Sequence, residues 1–181
     1  IVKYTGVDVL TTTVGHGLSK APEFILLKNL SGGGSWIVLV SHGGHTDATD
    51  YGEGNEATAF YDGSTTWNDT EPTATVFSVG TNDDVNDSGD DYIAYCWHSV
   101  DGFSKVGSYT GNGNADGTFV YTGFRPAYVM VRRTNAALMS WRFMDTKRYT
   151  YNNSSNVGVM TWNAATAEYN VLNDDLQLDI L

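Results

Sequence analysis

The 181-residue sequence has one cysteine, Cys96, which excludes an intrachain disulfide framework and any CxxC metal site. Basic residues are also scarce: ten Lys and Arg stand against 21 Asp and Glu, a formal net charge of −11. Basic clusters are limited to Arg132-Arg133 and Lys147-Arg148. A surface of this sign repels phosphate backbones, which argues against a nucleic-acid partner. Long apolar runs are missing too. The longest, Trp36 to Val40, falls far short of the ~18 residues a membrane span needs, so no membrane insertion is expected. Ala, Glu, Lys and Leu are too sparse for long helices. There is no Gly-x-Ser-x-Gly elbow and no GxxxxGK(S/T) phosphate loop, and nothing singles out an acid–base pair of carboxylates. No enzymatic activity is expected. The chain starts at Ile1-Val2-Lys3 without a signal-like segment and stops on the apolar Leu178 to Leu181. A piece of a longer protein, or one trimmed at both ends, is the expectation.

What is present is β vocabulary. Glycine is abundant at 20 residues, and Thr and Asn are frequent. Short apolar runs recur between turn clusters: Phe24 to Leu27, Trp36 to Val40, Tyr92 to Trp97, Tyr128 to Val131 and Trp141 to Met144. Each is rich in β-branched and aromatic residues and bounded by Gly, Asn, Asp or Pro. Ser31-Gly32-Gly33-Gly34-Ser35 separates the first two and suits a tight reversal. Asn163 to Leu172 is the one stretch with a helical reading. The pattern predicts an all-β fold of antiparallel sandwich or jelly-roll type.

A repeat organises the chain. Tyr4-Thr5-Gly6 recurs as Tyr109-Thr110-Gly111 at an offset of 105. The segment Ala21 to Asn29 aligns with Pro126 to Arg133, with the prolines 104 apart, and Ser35-Trp36 matches Ser140-Trp141 at 105. Farther on, Trp67 is matched to Trp162 at a shorter offset. Repetition of such a unit predicts two tandem related β-sandwich units, residues 1–105 and 106–181. The second is expected to be incomplete, because it has no counterpart of the run Tyr92 to Trp97.

The segments Tyr92 to Trp97, Val100 to Gly113 and Asp116 to Ala127, with Gly15-His16-Gly17-Leu18 and Ala21-Pro22, carry a resemblance. They resemble a repeated domain of uncharacterised function found in tail-fibre and other virion proteins of tailed phages, marine ones especially. The resemblance runs from about residue 4 to the end. It implies a virion surface or fibre component, oligomeric or in contact with other virion proteins, that meets the host cell surface. It supplies no catalytic residues.

Candidate ligand sites divide into three groups. His42-Gly43-Gly44-His45, with Asp47 and Asp50, has HxxH spacing, but the paired glycines favour a polar loop over a helical zinc site. His16 reads as a turn residue and His98 as half-buried. The acidic run Asn82 to Asp91 fails as an EF-hand, since its twelfth position from Asp84 is Tyr95. A calcium site of another kind, using Asp84, Asn86 and Asp90, stays open beside a plain acidic turn. Cys96 lies in an apolar strand pattern and reads as an inert core thiol.

Aromatic residues, 13% of the chain, carry more. Trp36, Trp97 and Trp141 border apolar strands and are expected in the core. Tyr51, Tyr61, Trp67, Tyr149, Tyr151 and Trp162 sit among Asn, Thr and Gly and are expected to be exposed. Rings in that setting suit stacking on a cell-surface glycan or packing at a subunit contact. The expectation is a structural and adhesive part of a phage appendage. A free secreted carbohydrate-binding module is the competing class, with a glycan hydrolase behind it.

Overall fold

A computed structural model describes residues 1–41, 50–114, 116–137, 139–148, 157–163 and 169–171. In chain order the strands are β1 (Val2–Thr5), β2 (Thr12–Gly15), β3 (Phe24–Asn29), β4 (Ile37–Val40), β5 (Tyr51–Glu53), β6 (Val76–Val79) and β7 (Asp91–Trp97). They continue with β8 (Tyr128–Val131), β9 (Arg142–Asp145), β10 (Val157–Thr161) and β11 (Tyr169–Val171). Two four-residue helical turns, α1 (Ser64–Trp67) and α2 (Asp83–Asn86), complete the described elements. The fold is all-β and every sheet is antiparallel.

Three sheets form, with orders β1-β7-β3-β4-β5, β2-β6 and β11-β10-β9-β8. Strand alternation sorts their side chains. Ile25, Leu27, Ile37, Leu39, Tyr92 and Ala94 turn to one face of the five-stranded sheet, where Val14, Phe77 and Val79 of the β2–β6 pair cover them. Trp67 and Val85, from the two helical turns, close this core. The opposite face presents Phe24, Leu26, Val38 and Val40, which pack against Met130, Trp141, Phe143 and Trp162. Strands β1 to β7 therefore form two packed layers, and the β8–β11 sheet lies on the outer face. No strand pair joins residues 1–105 to 106–181 among the described residues. The two halves are linked by a shared apolar layer, by the Phe60 N–H, which donates to the Thr134 carbonyl oxygen at 3.1 Å, and by Arg132, which donates to the Glu53 and Thr58 carbonyl oxygens.

The β3–β4 and β8–β9 hairpins have the same register. Phe24 faces Val40 and Leu27 faces Ile37, while Tyr128 faces Asp145 and Val131 faces Arg142. The first strand is shifted by 104 residues and the second by 105. The closing hydrogen bonds coincide as well: Ser41 N–H donates to Glu23 O at 2.9 Å and Thr146 N–H to Ala127 O at 3.0 Å. Beyond the third strand of each set, Gly54 N–H donates to Trp36 O at 2.7 Å and Trp162 N–H to Trp141 O at 3.2 Å. Trp162 thus occupies the place of Gly54, and its match to Trp67 is corrected. Trp67 belongs to α1, an element outside the hairpin.

The helical reading of Asn163 to Leu172 is also corrected. Residues 169–171 form β11, with Tyr169 opposite Val159 and Val171 opposite Val157. Alternating Tyr and Val prefer a pleated surface to a helix. Residues 164–168 and 172 lie outside the described residues.

Candidate functional site

The six aromatic candidates do not form one exposed platform. Tyr51 and Trp67 are buried, and Trp67 meets Phe77 edge-on at 6.3 Å inside the sandwich. α1 and β5 turn these rings inward, and the polar neighbours Thr66 and Asp50 are buried with them. Tyr61 is 39% exposed and its ring centroid lies 4.3 Å from that of Tyr51. Burial, followed by the hydrogen bond to Tyr51, raises the Tyr61 hydroxyl above its ordinary value. Trp162 is half-buried between Trp36, at 5.7 Å, and Phe143, at 6.0 Å. Tyr149 and Tyr151 lie outside the described residues.

Trp141 is buried against Phe24 and Phe60, as its place beside an apolar strand implies. Arg132 lies across the same cluster, with its guanidinium carbon 5.5 Å from the Phe60 ring centroid and 5.6 Å from that of Trp141. It donates through Nη1 to the Glu53 carbonyl oxygen at 2.7 Å and through Nη2 to the Thr58 carbonyl oxygen. Trp36 is only half-buried. Trp97 departs further from expectation at 44% exposed, stacked on Tyr95 with centroids 6.0 Å apart. The cause is strand parity: Tyr92, Ala94 and Cys96 take the inner face of β7, which leaves Tyr95 and Trp97 together on the outer one.

The acidic run is built as structure. Asn82 caps α2 by accepting from Asp84 N–H at 2.8 Å, and Val85 is buried beneath it. Asn86 is fully buried: its Oδ1 accepts from Val7 N–H at 3.0 Å, and its Nδ2 donates to Gly80 O at 2.7 Å and Val9 O at 3.2 Å. Asp84 Oδ1 accepts from Ser35 N–H at 3.1 Å, whereas Asp90 Oδ2 accepts from Asn29 Nδ2 at 2.7 Å. The three calcium candidates therefore face different partners. No group of three or more His, Cys, Asp or Glu able to hold a metal ion occurs among the described residues. The Tyr92 hydroxyl ties the loop together, donating to Asp83 O at 2.6 Å and accepting from Asp87 N–H at 2.7 Å. Burial pushes that hydroxyl up to about 12.

His16 is buried, where a turn residue was expected. Its Nδ1 accepts from Leu18 N–H at 3.1 Å and its Nε2 lies 3.0 Å from Thr73 O, so both ring nitrogens hold backbone together. His98 is half-buried, with Nδ1 2.8 Å from Ser99 O. Residues 42–49, with His42, His45 and Asp47, lie outside the described residues, and Asp50 is buried. Cys96 is buried in the sandwich core, and desolvation pushes its thiol up to about 11, which suits an unreactive side chain.

Exposed rings concentrate elsewhere. Phe103 and Tyr121 are each 79% exposed, and Phe119 and Tyr109 are exposed between them. One family profile matches the chain from residue 1 to residue 181. The chain belongs to that family, described as a domain of unknown function (DUF7483). No curated protein and no solved structure matches it. In this member of the family, the residues that sequence reasoning missed are the Tyr95–Trp97 pair and the rings from Phe103 to Tyr121. For the first, the alternation within Tyr92 to Trp97 was a usable signal. For the second, the signal was a set of rings spaced among Gly, Asn and Thr without a continuous apolar run.

Proposed function

We propose that the chain is a structural and adhesive component of a phage virion surface appendage, a tail fibre or a similar part. It would act by rigid presentation, with buried β layers holding connecting segments outward toward other copies, other virion proteins or a host glycan. One observation carries this reading. Among the described residues, seven of fifteen exposed large hydrophobic side chains fall between Val100 and Tyr128. Exposed apolar side chains gathered on one segment mark a contact surface. Sedimentation of the purified chain should give an oligomer, and replacing Phe119 and Tyr121 with serine should return it to a monomer. A parent chain that stays monomeric at all accessible concentrations would sink the proposal.

The Tyr95–Trp97 stack favours a second reading, a secreted carbohydrate-binding module. The two rings are near-parallel, 16° apart, and Trp97 presents exposed aromatic surface of the kind that stacks on sugar faces. Under this reading a monomeric chain is retained on bacterial polysaccharide, and Trp97→Ala abolishes that retention.

A further inference from the structure

Strand β8 is the last strand of its sheet and, among the described residues, pairs only with β9. The strand at the corresponding place in the first half, β3, is paired on both sides, with β4 and with β7. The two hairpins share register and closing hydrogen bond, so what β8 lacks among the described residues is a strand in the place of β7. Ala127 gives its carbonyl oxygen to Thr146 on the β9 side. Alternation then turns the backbone N–H and C=O groups of Tyr128 and Met130 toward the open side. Such a row is a template for an added strand.

Two further observations agree. In the first half, β1 reaches the sheet only by pairing with β7, and Tyr4 stacks on Tyr92 at 5.1 Å. The matching Tyr109-Thr110-Gly111 forms no strand, and Tyr109 is 54% exposed. With no described strand in the β7 place, that segment pairs with nothing among the described residues. Charge is also complementary. Six of the ten Lys and Arg residues lie between Arg125 and Arg148 in this acidic chain, and β7 begins with Asp91 directly after Asp90. In the first half Asn29, opposite Tyr92, donates through Nδ2 to Asp90 Oδ2 at 2.7 Å. The residue at its place after β8 is the exposed Arg133, which would meet the same carboxylate of a strand docked in that register.

We propose that the β8 edge accepts an extended polypeptide strand of the β7 type, antiparallel to β8, led by acidic residues and apolar at alternate positions. Its docking then draws residues 107–110 into the sheet, as β7 holds β1. A strand-accepting edge of this kind would serve a virion component and a free binding module alike.

The probe is a labelled peptide spanning Ser88 to Ser99, carrying Cys96→Ser, added to the 181-residue chain. Saturable binding is expected by fluorescence anisotropy, with amide-exchange protection appearing at 128–131 and 107–110. A peptide with Asp90→Lys and Asp91→Lys should bind at least tenfold more weakly. Tyr128→Pro in the chain, which removes an outward N–H on an edge strand, should weaken binding at least tenfold. Should that variant fail to fold, protection mapping on the parent chain decides alone. Absence of saturable binding, binding unaffected by Tyr128→Pro, or protection confined to β1 and β3 would overturn the proposal. Protection of 128–131 that grows with protein concentration without peptide would place a second copy on the edge. That result also overturns it, while leaving the oligomeric appendage reading intact.

Discussion

The ring of Trp162 rests on the bare backbone of Gly54: a Cβ at position 54 would lie 2.7 Å from its Cη2 atom. The two residues hold equivalent places beyond the third strand of each hairpin set, so the sheets meet where one position needs no side chain and the other a large one. Gly54→Ala should force the indole to shift and destabilise the chain by about 1–2 kcal/mol. Trp162→Ala should also destabilise, by about 3 kcal/mol. The double variant should be more stable than the sum of the two effects predicts, since the truncated ring leaves room for the methyl group. Urea unfolding of the four proteins measures this coupling. Additive effects would mean that the contact does not hold the sheets together.

Gly6 and Gly111 occupy matching sequence positions but differ in surroundings. Gly6 N–H donates to Asp90 O at 2.8 Å and Gly6 O accepts from Gly89 N–H at 3.0 Å, which brings the backbones so close that a Cβ would lie 2.1 Å from Asp87 O. Nothing lies within 4 Å of a Cβ placed at Gly111. Gly6→Ala should therefore cost more than about 2 kcal/mol, because rigid backbone must move. Gly111→Ala should stay within about 0.5 kcal/mol of the parent. Thermal unfolding midpoints of the two variants compare them directly.

Asp84 gives a pH-dependent prediction. Burial raises its carboxyl above 3.8, with Glu53 and Asp83 adding to the rise and the Ser35 N–H and Lys28 opposing it. An acid whose value is raised by folding contributes stability that is fully present below 3.8 and is lost as pH rises through the raised value. At neutral pH the folded chain thus carries a disfavoured carboxylate. Asp84→Asn keeps an acceptor for Ser35 and should stabilise the chain at pH 7, by less than about 1 kcal/mol because the group is partly screened by water. Near pH 3 the difference should vanish. Chemical denaturation at the two pH values tests both the sign and the window.

Much of the scaffold was legible in the sequence. Tyr128 to Val131 is strand β8 as expected, and the runs at Phe24, Trp36, Tyr92 and Trp141 became β3, β4, β7 and β9 with small changes at their ends. Dense β-branched and aromatic runs between turn residues give a strong local signal. Strands β2, β5, β6 and β10 were not foreseen; Thr-Thr-Val-Gly and Tyr-Gly-Glu, for example, become strands through their partners and not through composition. Burial within the candidate site was less legible. Trp67 and Trp97 exchanged their expected environments, because exposure depends on which layer covers a ring. Asn86 reads as a surface turn residue until the loops around Val7 and Gly80 are seen to enclose it.

Strand β7 lies between β1 and β3, yet it is the last of its five strands to leave the ribosome. Val2 waits for Ala94, and at about 5–20 residues per second that delay lasts on the order of several seconds. During that interval β1 has no neighbour and the β3–β4–β5 meander exposes one raw margin. Distant partners of this kind also slow spontaneous refolding toward the millisecond-to-second range. A truncation before Trp97 should therefore aggregate through that open margin instead of forming a smaller sheet.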